Sequence, residues 1–268
     1  MTAPATDLLG VLETYYDAAP RPFATTEEVG PFTVFVPRDR RGCPYYARPR
    51  LGLVEAVAEA DVVAVRARQR ELGVPEAVEW VHQTTPSLLD AARSAGMVVH
   101  ECPLMVLPGE AGLPHVETSG TAAVLTPDAP ELPDVIGAVD ASFSHSDQTQ
   151  PADPTRRAAM MRDGTLVMVG GYDARGRVVG GGSHSPRGET TELTGIAVLP
   201  RARRQGIGAA ITRALVADAR ERGTGTVFLS AQDDAVARIY ARVGFVRVGT
   251  ACVAEAPQAE GSQSEGTR

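Results

Sequence analysis

The sequence predicts an α/β (α+β) protein of two successive units, each with a central sheet flanked by helices. Segments that alternate apolar and polar residues, as strands do, are interleaved with segments that have the spacing of amphipathic helices. A stretch rich in proline, glycine and small polar residues separates the two halves. The order helix, strand, helix, glycine, strand occurs in residues 59–107 and again in 206–255, which suggests a diverged internal duplication.

Length and composition are typical of a soluble globular protein. The chain has 268 residues, of which 43% are hydrophobic and 22% charged, enough for one large domain or two of ordinary size. No apolar run has the length of a membrane span, and the first residues lack the pattern of a secretion signal, so we expect a cytoplasmic protein without membrane contacts. The net charge of −7 opposes non-specific nucleic-acid binding and mildly favours cationic substrates such as amines.

The cysteines and histidines do not form a metal-binding pattern. Cys43, Cys102 and Cys252 lie far apart, and the five histidines are scattered. No pair has the spacing of zinc ligands, and an odd number of cysteines fits a reducing compartment. We therefore expect no metal site.

The first half has the patterns of three helices and three strands. Glycine readily adopts the left-handed conformation that closes a helix, so two helices are predicted to end at Gly73 and Gly96. Trp80 lies on a predicted strand and is expected to be a core residue rather than a substrate contact. In chain order the elements are a helix over 6–19, a strand over 31–39, a helix over 59–73, a strand over 76–81, a helix over 84–96 and a strand or strand pair around Pro103.

The second half is dominated by a predicted hairpin over 165–186, in which two valine-rich runs flank Asp-Ala-Arg-Gly. Its Gly180-Gly181-Gly182 run predicts a bulge or a close approach of another backbone. Residues 257–268 have no apolar side chain larger than alanine and are predicted to be a disordered tail. The other elements are a strand over 122–127, helices over 134–144 and 153–164, a strand over 190–200, a helix from Ile207 that ends before Gly223, a strand over 224–231, a helix over 233–244 and a strand or strand pair over 245–255.

The most informative segment is "LPRARRQGIGAAI", residues 199–211, between a predicted strand and a predicted helix. Glycine lets a backbone approach a ligand closely, and the free N–H groups at a helix start attract anions. The segment lacks the Lys-Ser/Thr of nucleoside-triphosphate loops and the three glycines of dinucleotide loops. From these residues alone, it is either a binding loop for an anionic ligand or a solvated helix start.

Two motifs of the second half together resemble the GNAT superfamily of N-acetyltransferases. The first is Arg203-Arg204-Gln205-Gly206-Ile207-Gly208 after a strand, which matches Arg/Gln-x-x-Gly-x-Gly/Ala. The second is a helix with Tyr240 followed by Gly244-Phe245. Both lie in the family's order and spacing, and the close resemblance covers about residues 122–256.

The whole chain looks like a tandem GNAT protein of high-GC bacteria whose first copy has lost the loop. This resemblance implies that each unit has a mixed, mostly antiparallel central sheet. It implies a degenerate GNAT-like domain over 1–118, a GNAT N-acetyltransferase domain over 119–256 and the tail beyond.

The cofactor implied by the resemblance is acetyl-CoA or another acyl-CoA. Its pyrophosphate would bind the amides of the loop, with nearby guanidinium groups adding charge complementarity. Its pantetheine arm would lie along the strand before the loop like an extra strand. The implied cofactor-binding residues are Ile196, Ala197, Val198, Arg203, Arg204, Gln205, Gly206, Ile207, Gly208, Ala209, Asp233 and Tyr240.

The resemblance also implies catalytic roles. The N–H of Ile196 would face the thioester oxygen as an oxyanion donor. Tyr240 would act as a general acid at the departing sulfur, or else pack beside the cofactor. Glu192 lies where some members carry a general base, although a strand glutamate can also face solvent while water takes the proton. Two positions depart from the family, Asp233 in place of Asn and Val236 in place of Ala, and a carboxylate can accept but not donate a hydrogen bond.

The implied function is N-acyl transfer from a CoA thioester to an amine by direct attack in a ternary complex. The acceptor is a small-molecule or peptide amine, with a small amine, an aminoglycoside-like sugar, an amino acid and a protein N-terminus as candidates. No nucleic-acid partner is expected, and a homodimer is left open. The rival interpretation is a non-catalytic acyl-CoA-binding sensor module.

Overall fold

The computed structural model describes residues 5–39, 45–109, 113–114 and 117–257. These residues form a mixed α/β fold in which a large mixed sheet is flanked by helices, as the sequence predicts. The predicted disordered tail lies, beyond its first position, outside the described residues. None of the described helices has the length and hydropathy that crossing a bilayer requires.

The chain divides into two compact units. The C-terminal unit is built around the described residues between Leu104 and Val248, and the N-terminal unit is built from the described residues up to Pro103 together with those from Gly249. Strands β5 (Val98–Leu107) and β11 (Val246–Glu255) each begin in one unit and end in the other along the chain. The domain boundary that the sequence analysis places after residue 118 stays a prediction.

The N-terminal unit has a three-stranded antiparallel sheet and a core that contains Trp80. Strands β1 and β2 form a hairpin, and β3 pairs with β2. Trp80 has no exposed surface, which confirms its predicted place in the core. The elements are α1 (Ala5–Ala18), β1 (Ala24–Val29), β2 (Phe32–Pro37), β3 (Arg48–Pro49), α2 (Glu59–Leu72), β4 (Ala77–Val81), α3 (Ser87–Ser94) and the start of β5 (Val98–Leu107).

The C-terminal unit places its strands in the order β5-β10-β9-β8-β7-β6. Its main core lies between these strands and α6, whose Ile207, Ile211 and Leu215 are buried at the predicted four-residue spacing. The elements are β6 (Thr121–Val124), α4 (Leu132–Phe143), α5 (Thr155–Arg162), β7 (Val167–Tyr172), β8 (Val178–Arg187), β9 (Thr190–Val198), a 3-10 turn (Pro200–Ala202), α6 (Ile207–Glu221), β10 (Thr226–Ser230), α7 (Asp234–Ala241) and β11 (Val246–Glu255).

The structure confirms the predicted roles of glycine at a helix end, in a hairpin turn and in the Gly180-Gly181-Gly182 run. Gly73 follows α2 with a φ of 67°, and its N–H donates to Arg70 O at 3.1 Å. In the β7–β8 hairpin, Gly176 closes the turn with a φ of 74°. The register of β8 on β9 shifts after Gly181, and a Cβ on Gly180 would lie 2.3 Å from Ala197 O, so both predicted features of the glycine run occur.

The structure adds strand β1 to the predicted elements and resolves the two segments that the sequence leaves open as a strand or a strand pair. Strand β1 was not predicted because its sequence is mostly polar and only Ala24 is buried; it is a strand because it pairs with β2. Strand β5 continues through Pro103 as one strand, because its pairing with β10 begins at Leu104 and does not use the missing proline N–H. Strand β11 is likewise a single strand, and its residues 251–255 pair with β4.

Candidate active site

Strands β9 and β10 are parallel neighbours that separate after a short contact. Thr190, Thr191 and Glu192 pair with Thr226, Val227 and Phe228, and no further pair joins the two strands in the described chain. Strand β9 nevertheless continues to Val198. The second half of β9 therefore has a backbone edge facing β10 that is open to a ligand.

A β-bulge lies on this second half of β9. Ser183 pairs with Thr194 and Gly181 with Ala197, so β9 has one residue more than β8 between the two pairs. Gly195 takes a φ of 62° within the bulge. A bulge leaves residues out of the regular ladder and changes the direction of their backbone groups. The bulge therefore falls directly beside Ile196, the predicted oxyanion donor.

The loop after β9 has two residues in the left-handed conformation. Arg204 has a φ of 62° and Gly206 a φ of 76°, and α6 begins at Ile207. A non-glycine residue in this conformation is strained by about 1–2 kcal/mol. Alternation of right- and left-handed residues turns successive N–H groups toward one side and forms an anion-binding nest. The loop therefore has the backbone form that the resemblance implied.

The amides of this loop are not used inside the described structure. No side chain caps α6. The N–H of Arg203 donates to Pro200 O at 3.3 Å, and the next N–H with a backbone acceptor is that of Ala210, at 3.0 Å from Gly206 O. For Arg204–Ala209 no hydrogen-bonded acceptor occurs among the described residues. A helix start with free N–H groups carries the positive end of the helix dipole. Such a helix start favours anions, phosphate groups among them.

The three arginines of the loop have different surroundings. Arg201 is paired with Asp147, with Nη1 at 3.5 Å from Oδ1. Arg203 donates to the backbone through Nε, 3.0 Å from Val198 O, and through Nη2, 3.2 Å from Ser142 O. The exposed Arg204 has no partner among the described residues. Arg201 and Arg203 therefore brace the loop, and Arg204 is the one available to a ligand's charge.

The two glycines of the motif also differ. A Cβ on Gly206 would lie 2.1 Å from Glu117 O, so this glycine accommodates another segment of the chain as well as a positive φ. A Cβ on Gly208 would meet only Val198 Cγ2, at 3.8 Å. The space beside Gly208 is therefore open, whereas the space beside Gly206 is filled by the protein itself.

Glu192 lies on the face of the sheet opposite α6. Its neighbour Leu193 is buried in the core that α6 covers, and successive strand residues face opposite sides. Glu192 is half-buried and forms a cross-strand pair with Ser185 of β8. Next on this face, the exposed hydroxyls of Ser183 and Thr194 are 3.0 Å apart. Glu192 thus belongs to a polar patch at the point where β9 and β10 separate.

Asp233 has a structural role that the sequence interpretation did not include. It is the N-cap of α7, and its Oδ1 accepts a hydrogen bond from Val236 N at 2.8 Å. An N-cap carboxylate stabilises the start of a helix by about 1 kcal/mol. The short spacing Asp-x-x-Val before an apolar helix was a signal that could have identified this cap.

Tyr240 packs in the C-terminal core with its ring against Phe245, with the ring centres 6.0 Å apart and the planes at 66°. Burial raises the pKa of Tyr240 to about 12. Its hydroxyl has no hydrogen-bond partner among the described residues. The hydroxyl therefore keeps its proton at physiological pH and is available to a ligand.

Several predicted site residues converge on the same core. Those that are partly buried and pack against it are Ile196, Val198, Ala209 and Tyr240, and Val236, a position that departs from the family, packs there as well. The strand, the loop helix and α7 are thus brought together, as the resemblance implied.

A buried polar network beneath the site was missed. His184 on β8 is fully buried, with Nδ1 2.9 Å from Thr191 Oγ1 and Nε2 2.9 Å from Asp218 Oδ2. Arg222 donates to the same Asp218 carboxylate. Burial lowers the pKa of His184 despite the opposing effect of Asp218. The sequence gives no local signal for this network, because its members come from β8, β9 and α6.

Comparison with known families agrees with this geometry. Residues 132–245 match the model of the acetyltransferase (GNAT) family. The matched segment includes β9, the loop, α6 and α7, and so all of the predicted site residues. Residues 132–245 are therefore similar to the GNAT acetyltransferase family, and this similarity supports a transferase.

Solved structures extend the likeness of the fold to nearly the whole chain. A GCN5-related N-acetyltransferase from Kribbella flavida matches with a TM-score of 0.71 and 21% identity, over 94% of this chain and 96% of that one. Another from Sphaerobacter thermophilus matches with a TM-score of 0.60 and 15% identity, over 94% and 93%. A tandem GNAT protein from the clavulanic acid biosynthesis pathway matches with a TM-score of 0.51 and 16% identity, over 85% and 79%. A search of curated proteins found no match.

Proposed function

We propose that this protein is an N-acyltransferase that moves an acetyl or other acyl group from a CoA thioester to an amine by direct attack in a ternary complex. The observation that supports this proposal most strongly is the state of the backbone amides in the loop before α6. Its amides from Arg204 to Ala209 have no acceptor within the described residues, and the exposed Arg204 adds a positive charge. The name of the tandem GNAT neighbour describes that structure as without AcCoA, which names acetyl-CoA as the molecule of interest for that protein and is in line with the same class of donor.

The residues present fit an acyl-CoA molecule. The amides of Arg204–Ala209 would hold its pyrophosphate, and the open edge of β9 would pair with its pantetheine amides. When bound, the molecule supplies an acyl group activated as a thioester. Ile196 lies in the bulge next to Gly195, outside the regular ladder with β8, and its N–H is the proposed donor to negative charge on a carbonyl oxygen.

The amine must lose a proton before it attacks, since an alkylammonium has a pKa of about 10. Glu192 is the proposed acceptor of that proton, because it lies half-buried where β9 and β10 begin to separate. Holding both reactants in one site contributes several kcal/mol more to the rate. The cysteines have no role in this reaction, because it forms no covalent enzyme intermediate.

Tyr240 is the proposed proton source for the leaving sulfur. With its pKa at about 12 and a thiol near 8.5, complete proton transfer is uphill by roughly 5 kcal/mol. The hydroxyl therefore acts by donating a hydrogen bond as charge develops on sulfur rather than by giving up its proton fully. Such assistance is typically worth about 10²- to 10⁴-fold in rate.

We also propose that the chain arose by duplication and that its first copy is degenerate. Both repeats run helix, strand, helix, strand, as α2-β4-α3-β5 and α6-β10-α7-β11. The second strand of each repeat pairs antiparallel with the first strand of the other: β5 with β10, and β11 with β4. This reciprocal pairing supports a common origin of the two repeats.

A thiol-release assay over a broad amine panel tests the reaction. Purified protein with acetyl-CoA is offered polyamines, amino acids, aminoglycosides and short peptides, and both free CoA and the acylated amine are measured. We expect release of CoA in step with acylation of at least one amine class. Binding of acetyl-CoA without turnover of any amine would contradict the transferase proposal and favour an acyl-CoA sensor.

A further inference from the structure

The segment that leads into β6 lies directly against the start of α6. A Cβ on Gly206 would lie 2.1 Å from the carbonyl oxygen of Glu117 and 2.8 Å from Cα of Thr118. Real Cβ contacts are never this short, so position 206 requires glycine as long as this segment stays in place. We refer to residues 117–120 as the strap.

Hydrogen bonds fix the strap to the loop. The N–H of Ser119 donates to Gln205 O at 3.1 Å, and its Oγ donates to Gln205 Oε1, also at 3.1 Å. The side-chain amide of Gln205 in turn donates to Arg201 O at 3.4 Å. Gln205 therefore connects the strap with the 3-10 turn that precedes the loop.

Both sides of the strap are anchored. Downstream, a Cβ on Gly120 would lie 2.1 Å from Tyr172 O, and the chain continues as β6, paired with β7. Upstream, Arg213 of α6 donates through Nη1 to Leu113 O at 3.0 Å and also to Pro114 O. An element held on both sides can keep a neighbouring loop in one conformation.

The loop needs such support. Gln205 lies between Arg204 and Gly206, the two residues with φ of 62° and 76°. The left-handed conformation of Arg204 is strained, so an unsupported loop would leave it and turn its amides in other directions. Among the described residues, the hydrogen bonds that Gln205 accepts come from Ser119.

We propose that the strap is part of the cofactor site and that Ser119 is a positioning residue for the phosphate-binding amides of the loop. This rests on the proposed function, because it assumes that these amides bind an acyl-CoA. Ser119 acts on the ligand only through Gln205. It therefore changes the affinity for acyl-CoA without changing the chemical step.

Substitution of Ser119 tests the proposal. Ser119→Ala removes the Oγ bond and keeps the N–H bond, and Ser119→Thr keeps both. Loss of one hydrogen bond of this kind is expected to weaken acetyl-CoA binding in calorimetry by about 3- to 10-fold. Deuterium exchange of residues 203–210 without ligand should become faster in Ser119→Ala and stay normal in Ser119→Thr. Ser94→Ala, an exposed serine at the end of α3, is the matched control and should behave as the wild type.

The outcomes separate this inference from the proposed function. If wild-type protein fails to bind acetyl-CoA, the proposed function is wrong. If wild type binds and Ser119→Ala has the same affinity and the same exchange in the loop, the strap proposal is overturned while the proposed function stands. A fall in kcat at saturating acetyl-CoA with unchanged affinity would also overturn the strap proposal. A positioning role predicts weaker acetyl-CoA binding with an unchanged kcat.

Discussion

The helices that open the two repeats, α2 and α6, begin in opposite ways. α2 has two carboxylates in its first turn, Glu59 and Asp61, and Asp61 Oδ2 accepts a hydrogen bond from Ala58 N at 2.9 Å. α6 has no acidic residue in its first turn and follows the left-handed Arg204 and Gly206. Every helix start carries the same partial positive charge. In α2 the chain's own carboxylates neutralise it, whereas in α6 it remains for an external anion.

This difference shows that the fold of a repeat and its ability to bind an anion have separate causes. The two repeats share their order of helices and strands, so that order alone does not produce an anion site. The site depends on a few residues before the helix and in its first turn. Substitutions at these positions of α6 should therefore change acyl-CoA binding. Substitutions at the matching positions of α2 should leave acyl-CoA binding unchanged.

The largest expected effect comes from Gly208→Asp. The space beside Gly208 is open, so the fold should persist, while the new carboxylate faces the proposed phosphate site. Loss of two or three charge-assisted hydrogen bonds should lower acetyl-CoA affinity by at least about 100-fold. Ala60→Asp, at the same position of α2, is the matched control and should leave binding unchanged. Equal affinities for folded Gly208→Asp and wild type would exclude this loop.

The second-largest effect is expected from Tyr240 of α7. The matching helix of the first repeat, α3, has no tyrosine. Tyr240→Phe should lower kcat by about 10²- to 10⁴-fold with little change in acetyl-CoA affinity. Because the pKa of Tyr240 is about 12, this residue should produce no alkaline loss of kcat between pH 7 and 10. An unchanged kcat with weaker acetyl-CoA binding would make Tyr240 a packing residue.

A smaller effect is expected from Glu192→Gln. If Glu192 takes the amine proton, kcat/KM should fall by about 100-fold, and the acidic limb of its pH profile should disappear. A water-mediated route predicts only a modest loss. Thr194→Ala, which changes an exposed neighbour on the same face, serves as the control. If Glu192→Gln keeps both the rate and the pH profile of the wild type, Glu192 is not the base.

The smallest expected effect is on the pH dependence of stability, and it depends on the buried polar contacts that α6 and α2 make. In α2 the buried Gln69 donates to Ala77 O at 2.7 Å and does not titrate, whereas α6 is joined to β8 by His184 and Asp218. Burial lowers the pKa of His184 in the folded state, so the neutral ring stabilises the fold. This contribution is complete above about pH 6.5, the ordinary value, and is lost as pH falls through the folded pKa.

Native-state hydrogen exchange between pH 7 and 5, corrected for intrinsic rates, measures this difference. The free energy of opening should decrease for α6 amides and stay constant for α2 amides. Each unit of pKa shift corresponds to about 1.4 kcal/mol. In His184→Gln the pH dependence of α6 should vanish. Equal pH dependence of both helices in the wild type would contradict the assignment to His184.

The sequence was sufficient for features with local causes. Gly73 and Gly176 were recognised because a helix end and a tight turn need a positive φ. The motif 203–208 was recognised because its glycines and arginines are contiguous. These features depend on a few neighbouring residues, and the chain displays them directly.

The remaining features depend on distant partners. The contact of Glu117 with Gly206 joins segments almost ninety residues apart, and no periodicity marks it. The polar strand β1 exists because of its partner β2, and the buried His184 is satisfied only by β9 and α6. Such contacts appear only once the chain is folded. They also determine which arginine of the loop stays available to a ligand.

The central claim is that only the loop before α6 binds acyl-CoA. Calorimetric titration of wild-type protein with acetyl-CoA tests it most directly, with desulfo-CoA and pyrophosphate as competitors to locate the anionic contact. We expect one site per chain, with binding that pyrophosphate competes away, because the carboxylates of Glu59 and Asp61 occupy the start of α2. Two equivalent sites per chain, or binding that pyrophosphate does not affect, would contradict the account.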